Sequence, residues 1–163
     1  MRCEKTEKRG TGIVSKANTR GNGGHGYDFE DLTLGMEASH RKTITASDIE
    51  AFADLSGDDN PVHLCDAFAS GTVFKERIAH GILTASLLST VLGTKLPGPG
   101  CIYVSQSLNF HAPVRIGDEV VASVRIRELL QDRRRAIFAC QCDVDGATVL
   151  DGEAVMLVPR RPD

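Results

Sequence analysis

The feature that most constrains the fold is the segment HGILTASLLSTVLGTKL, residues 80–96. Its apolar residues recur with helical spacing, and after His80 its only polar residues before Lys95 are Thr and Ser. A helix that is apolar on nearly every side must be covered by other structure. The segment therefore predicts one buried helix, wrapped by elements from the rest of the chain.

The chain after this helix has the pattern of an antiparallel sheet. LPGPG interrupts the helix, and apolar and polar residues then alternate, which is typical of half-buried strands. The alternating segments are 102–110, 120–126, 136–144 and a final one near 154–158. Asp145-Gly146 predicts a hairpin turn, and QDRRR, residues 131–135, a solvated turn. The predicted fold class is α+β, with an antiparallel sheet wrapped around one central helix.

The chain before the buried helix contains a helix with clear ends. Thr45 or Ser47 can cap its start, and Asp48 stands three residues after Thr45, as in a capping box. Gly57 stands where a left-handed cap would end it. An edge-like strand is predicted over 37–44 and a short helical turn over 66–70, while Asn60-Pro61 is predicted to prevent helix at that step.

Composition and charge limit the number of domains and the kinds of partner that the chain can have. A chain of 163 residues suffices for one domain with a core. Residues 1–26 are Gly-rich, basic and poor in apolar residues, and we predict a flexible tail there and a single domain over 27–163. The remaining chain is net acidic, which argues against a nucleic-acid-binding surface. No apolar run reaches the ~18 residues of a membrane span, so no membrane partner is expected.

The cysteines predict a reducing compartment. The five cysteines follow neither a disulfide framework nor a zinc pattern, so all are expected to be reduced. The start of the chain has no apolar signal region. Both observations favour a cytoplasmic protein.

The stretch LSGDDNPVHL, residues 55–64, offers a candidate site for proton chemistry. A turn containing Pro61 can bring Asp58 and His63 together as a general acid/base pair around one water. The alternative is that Asp58 and Asn60 only cap a turn and His63 is a half-buried structural residue. A metal site could be assembled from Asp58, His63 and His80, but no spacing such as HxxxH supports it, and no metal is expected.

The start of the buried helix, His80-Gly81, offers a second candidate feature. The free N–H groups at a helix N-terminus point outward with the positive end of the dipole, and Gly allows a ligand to approach closely. Gly81 could therefore form an oxyanion hole for a thioester carbonyl. The alternative is a glycine required only for packing. A GxSxG nucleophile motif and a phosphate-binding glycine loop are both absent from the sequence.

These residues resemble a known family. The segments 52–69 and 80–93 resemble the R-specific enoyl-CoA hydratases of the MaoC-like dehydratase family, whose motif runs from an aromatic residue through S-G-D-x-N-P-(aliphatic)-H to a small residue. Phe52, Asp58, His63 and Ala69 all stand at motif positions. The segment 103–120 also resembles the strand and P-V-x-x-G-D turn of that family. The resemblance implies a hot-dog fold.

The resemblance also implies roles and partners. Asp58 and His63 would activate the water that adds to a trans-2-enoyl thioester, and the N–H of Gly81 would polarise the thioester carbonyl. Asn60 would hold the turn, and Ser89 would support the site. The implied substrate is an acyl-CoA thioester, without any cofactor beyond the substrate's own CoA, and the implied assembly is a homodimer or dimer of dimers.

Three readings remain open besides CoA hydration. The substrate could be an acyl-carrier-protein thioester, or a thioester with a branched or dicarboxylic acyl group. The chain could instead be a non-catalytic subunit that binds acyl thioesters. Asp59, at the motif's variable position, is left without a role.

Overall fold

The computed structural model describes residues 24–161. Over this range the chain forms a short 3-10 turn at Phe29–Asp31, four α-helices and five β-strands. The helices are α1 (Ala46–Ser56), α2 (Pro61–Leu64), α3 (Asp66–Ala69) and α4 (Gly81–Thr94). The strands are β1 (Glu37–Thr43), β2 (Ile102–Phe110), β3 (Glu119–Leu130), β4 (Arg135–Val144) and β5 (Ala147–Leu157).

The five strands form one sheet in the order β1-β3-β4-β5-β2, and every neighbouring pair is antiparallel. The edges are therefore β1, as predicted, and β2. A two-residue turn joins β4 to β5, with φ of 50° at Asp145 and 79° at Gly146. Positive φ at both positions is the type I′ geometry, so the predicted hairpin is confirmed. Strand β5 begins seven residues before the predicted segment, at Ala147.

The helix α4 lies against the sheet and supplies the centre of the core. Leu88, Val91 and Leu92 are fully buried, and they belong to one cluster with the inward-facing residues of β3, β4 and β5. The inward residues of the sheet include Val120, Ala122, Val124, Ile126, Ala136, Phe138, Cys140, Cys142, Ala154 and Met156. An antiparallel sheet curled around one long helix is the predicted α+β, hot-dog arrangement, and the prediction is confirmed.

One face of α4 is not covered by the described residues, 24–161. Ile82, Ser86, Ser89 and Gly93 are exposed, and their spacing places them along one side of the helix. The sheet therefore covers one side of α4, and within residues 24–161 the prediction of a buried helix holds for that side only.

The strand β2 also differs from its pattern. Ile102, Val104 and Phe110, which the alternation assigned to the core, are 58%, 41% and 53% exposed. The strand is at the edge of the sheet, and its register against β5 shifts between Tyr103 and Ser105. Its apolar residues therefore lie largely beyond the area that α4 covers.

The ends of α1 confirm their predicted chemistry. Thr45 Oγ1 accepts from the Asp48 N–H, and the Asp48 carboxylate accepts from the Thr45 N–H at 2.9 Å, which completes a capping box. Gly57 has φ 79° and ends the helix in the left-handed region. The prediction that Asn60-Pro61 prevents helix is wrong, because α2 begins at Pro61. Proline suits the first helical position, where its missing N–H is not needed.

Three cysteines in the described residues, Cys101, Cys140 and Cys142, are free. Burial raises the pKa of Cys140 to about 11 and that of Cys142 to about 12, so both thiols stay protonated packing groups. Cys65 takes part in a disulfide, which contradicts the expectation that all the cysteines are reduced.

The predicted tail lies almost entirely outside the described residues, and its flexibility stays a prediction. Gly26 already contacts the domain, because its N–H donates to the Pro99 carbonyl at 3.0 Å. Over residues 24–161 the chain forms no helix with the length and hydropathy of a membrane span.

Candidate active site

The turn after α1 presents Asp58 through a set of local hydrogen bonds. The Asp58 N–H donates to Ser56 Oγ at 3.2 Å, and the Asn60 N–H donates to Asp58 Oδ1 at 3.3 Å. Asn60 Oδ1 in turn accepts from the Val62 N–H at 3.2 Å and caps α2. Asn60 therefore joins the carboxylate of Asp58 to the helix that contains His63, while the Asp58 side chain stays exposed.

The ring of His63 is oriented by a single backbone contact. Its Nδ1 lies 2.9 Å from the carbonyl oxygen of Ile78. Because a carbonyl only accepts, Nδ1 bears the proton, and Nε2 has a lone pair able to accept another. Burial is the main cause that lowers the pKa of His63 from its ordinary 6.5, and His80 adds to this, while Ile78 and Asp58 oppose it. The imidazole is therefore neutral at neutral pH.

The ring of His80 lies against the ring of His63. Their centroids are 3.8 Å apart with the planes tilted by 31°, and the ring of Phe52 lies 4.9 Å from His80 on centroids. His80 is 2% exposed, and its Nε2 donates to the backbone carbonyl of Asp58 at 3.0 Å. A carboxylate oxygen of Asp58 and one ring nitrogen of each histidine lie within 4.8 Å of one another.

The segment before α4 is held in place by Arg77 and its neighbours. Arg77 Nε donates to the backbone carbonyl of His63 at 2.7 Å, and its side chain is only 11% exposed. Ile78 forms an isolated bridge with Arg115, and the Ala79 N–H donates to the Val114 carbonyl at 2.7 Å. These contacts fix the Ile78 carbonyl that orients His63.

Gly81 is the first residue of α4 and packs against an aromatic ring. A Cβ at this position would lie 2.7 Å from Cε1 of Phe110, which is closer than carbon atoms approach each other. Packing alone thus explains why residue 81 is a glycine. An oxyanion hole at Gly81 is compatible with this packing, because the first N–H groups of a helix have no partner within the helix.

A cavity of about 320 Å³ joins these features. His63 and Gly81 both line it, and most of its remaining wall is apolar: Phe74, Ile78, Ala79, Phe110, Ala112, Pro113, Val114, Val149 and Leu150, with Thr84 and His111. A neutral proton acceptor and a helix N-terminus therefore face one largely apolar space. Such a space strengthens electrostatic interactions with a bound ligand.

The structure brings together some of the predicted site residues and separates others. Asp58, Asn60 and His63 share one turn, and Gly81 shares the cavity with His63. Ser89 lies on the exposed face of α4 and is not part of the cavity wall. The roles of all five residues, and the expectation that no metal binds at Asp58, His63 and His80, stay predictions.

Comparison with known proteins identifies the family. The model of the MaoC-like domain matches residues 32–141. The chain belongs to the MaoC-like family. It is 53% identical over 135 residues to a 3-hydroxybutyryl-CoA dehydratase of Methylorubrum extorquens, covering 83% of this chain and 86% of that one. It is also 53% identical over 133 residues to an (R)-specific enoyl-CoA hydratase of Rhodospirillum rubrum, covering 82% and 92%.

Solved structures of this family have the same fold. The R-hydratase PhaJ1 from Pseudomonas aeruginosa superposes with a TM-score of 0.79 at 40% identity, over 83% of this chain and 88% of that chain. The (R)-hydratase of Aeromonas caviae superposes with a TM-score of 0.78 at 44% identity, over 80% and 99%.

Two residues at the candidate site, Thr84 and Arg77, were not predicted from the sequence. Thr84 lines the cavity three residues after Gly81, so helical spacing on α4 could have predicted it. Arg77 offered no signal, because a basic residue in a loop gives no indication that it will be buried against a distant carbonyl.

Proposed function

We propose that this MaoC-like protein is an R-specific enoyl-CoA hydratase, a hydro-lyase that reversibly converts trans-2-enoyl-CoA to (R)-3-hydroxyacyl-CoA. The observation that supports this most directly is the shared cavity. It places a neutral His63, with Nε2 free to accept a proton, and the N-terminus of α4 at Gly81 around one apolar space.

The thioester carbonyl would accept a hydrogen bond from the Gly81 N–H. As water attacks C3, negative charge moves onto this oxygen, so the contact strengthens in the transition state, which is the condition for catalysis. The Phe110 ring beside Gly81 helps to exclude solvent from the carbonyl.

The water would be bound between Asp58 and His63. The oxygen of water forms the new bond to C3, one of its hydrogens leaves to the pair, and the pair returns a proton to C2. One molecule of water is added and no electrons are transferred. The balance of the reaction requires no redox cofactor. The proposed mechanism also uses no metal, so treatment with EDTA should leave the rate unchanged.

The comparisons favour CoA over carrier-protein substrates. The relatives named as acyl-CoA enzymes are 44–53% identical to the chain. Those named as acyl-carrier-protein dehydratases are 33–34% identical. A non-catalytic binding subunit is disfavoured, because Asp58, Asn60 and His63 are all present, the Asn60 N–H donates to the Asp58 carboxylate, and the His63 N–H donates to the Asn60 carbonyl. We keep a cytoplasmic location as part of the proposal: the free thiols of Cys101, Cys140 and Cys142 favour it, the disulfide of Cys65 opposes it, and cell fractionation tests it.

The hydratase assignment can be tested with crotonyl-CoA and longer enoyl-CoA substrates. Loss of the absorbance of the conjugated thioester reports hydration, and chiral analysis of the product reports its hand. We expect Asp58→Asn and His63→Ala to lower kcat by roughly 10²- to 10⁴-fold, the usual contribution of a general acid or base. Asp59→Asn is the matched control and should keep wild-type kcat. An inactive wild type, an S product or fully active variants would contradict the assignment.

The protein is further proposed to act as a homodimer or a dimer of dimers. Among the described strands β2 pairs with β5 alone, so its other edge is open, with Ile102, Tyr103 and Val104 exposed, and Ile82 is exposed on the open face of α4. Exposed apolar side chains beside a free strand edge suit pairing with a second copy. Val104→Glu should lower the mass measured by light scattering, and Leu34→Glu, at an exposed leucine away from β2, should not. A wild-type monomer would refute this part of the proposal.

A further inference from the structure

We propose that His80 is a positioning residue, which holds Asp58 and His63 in register with the N-terminus of α4. This inference rests on the proposed hydratase function. His80 is only 2% exposed, so it offers almost no surface to a bound substrate. Its effect must act through the residues that it contacts.

Two hydrogen bonds from the histidines join a first segment, residues 58–63, to a second segment, residues 78–80. His63, from the first segment, donates from Nδ1 to the carbonyl of Ile78 in the second. His80, from the second segment, donates from Nε2 to the carbonyl of Asp58 in the first. With the rings stacked between these bonds, neither segment can shift without breaking one of them.

Two buried nitrogens beside the site lack a hydrogen-bond partner. Among residues 24–161 these are Arg77 Nη2, which lies 3.7 Å from Glu50 Oε1, and His80 Nδ1. Each belongs to a side chain that binds the backbone carbonyl of a candidate catalytic residue. Buried polar atoms are nearly always paired, so two exceptions on these two side chains call for a functional explanation.

The contacts also identify the ring nitrogen of His80 that donates. Nε2 must bear hydrogen to donate to the Asp58 carbonyl, whereas Nδ1 has no hydrogen-bond partner. The charged groups beside the two histidines are Asp58 and, across the His63 carbonyl, Arg77 with Glu50. His80 is therefore an Nε2–H donor to the backbone of Asp58.

The position of His80 explains why a tether here matters. The Asp58 N–H and the Asp58 carboxylate bond only to residues two positions away, at 3.2 and 3.3 Å. The bond from His80 ties this turn to the residue directly before Gly81. His80 therefore holds the Asp58 carboxylate and the His63 imidazole in position relative to the Gly81 N–H. Small displacements of reacting groups have large kinetic effects.

Two variants separate the hydrogen bond from the packing. His80→Phe keeps an aromatic ring but removes the donor, and His80→Gln keeps a donor near the position of Nε2. We expect His80→Phe to lower kcat for crotonyl-CoA by roughly 10- to 100-fold with KM changed less than about twofold, and His80→Gln to recover about tenfold of that loss. Thermal unfolding of both variants shows whether they are folded.

A merely structural role predicts a different result. Activity would then fall in proportion to the unfolding temperature, and Gln would be no better than Phe. That outcome, or a folded His80→Phe variant with wild-type kcat, overturns the proposal.

The hydrogen bond itself can be tested without activity. Nitrogen-15 NMR of the unliganded wild type should show His80 as the Nε2–H tautomer and His63 as the Nδ1–H tautomer at neutral pH. An Nε2 without hydrogen on His80 overturns the positioning role. If the wild type fails to hydrate any enoyl-CoA, the proposed function fails, whereas the NMR result still decides whether His80 holds Asp58.

Discussion

Gly152 provides a sharp test of how the sheet supports the site. This residue lies in β5, where its partners are Leu108 of β2 and Cys140 of β4. A Cβ at this position would lie 1.9 Å from the carbonyl oxygen of Ser107 and 2.7 Å from its carbonyl carbon. Both atoms belong to the backbone of β2, so no side-chain rotation can relieve the contact in Gly152→Ala.

The size of the effect follows from this geometry. Carbon and oxygen atoms in neighbouring strands approach to about 3.3 Å, so β2 would have to move by roughly 1.4 Å. A displacement of that size breaks ladder hydrogen bonds near 2.9 Å, which cannot stretch far beyond 3.2 Å. Overpacking usually costs about 1–3 kcal/mol, and we expect the upper end here because backbone must move. For a chain of this size that cost corresponds to roughly 6–12 °C in Tm.

Urea and thermal unfolding measure this change directly. Gly71→Ala is the matched control, because its nearest neighbour would lie 3.4 Å from the new Cβ and its φ is outside the left-handed region. It should change the free energy of unfolding by less than about 1 kcal/mol. Gly152→Ala should also lower hydratase activity, since β2 ends at Phe110, which packs on Gly81. Wild-type stability in Gly152→Ala would refute the inferred strand packing.

Three further predictions concern the site and the core. Because the pKa of His63 is lowered from 6.5, the acid limb of kcat/KM should lie below pH 6.5. Below pH 6.5 His63 binds a proton more readily in the unfolded chain than in the folded one. The free energy of unfolding should therefore fall as the pH is lowered from 6.5 to the pKa of folded His63. Urea titrations at several pH values should show a weaker pH dependence in His63→Gln. Leu88→Ala, at a fully buried position, should cost about 2–5 kcal/mol by calorimetry. Thr45→Ala should cost about 1 kcal/mol with unchanged kcat, and a larger loss of activity would contradict a purely local capping role.

Local chemistry explains which parts of this structure were predictable. The capping box of Thr45, the left-handed Gly57 and the Asp145-Gly146 turn each depend on residues a few positions apart, and all three were predicted correctly. The exposure of Val104 was not, because it depends on β2 occupying the edge of the sheet next to β5. Strand order is a non-local property, and alternation alone cannot distinguish an edge strand from a central one.

The same distinction applies within the site. The Asp58 to His63 motif could be recognised from its spacing, and the helix start at Gly81 from the pattern that follows it. The contacts that join the motif to the helix start could not be predicted, because backbone carbonyls make them. Every residue has a carbonyl, so the sequence does not show which carbonyl accepts a hydrogen bond. The Ile78 carbonyl sets the tautomer of His63, and the Asp58 carbonyl sets that of His80. Side-chain identity thus determines which groups can transfer a proton, whereas the path of the backbone determines which ring nitrogen is left to do so.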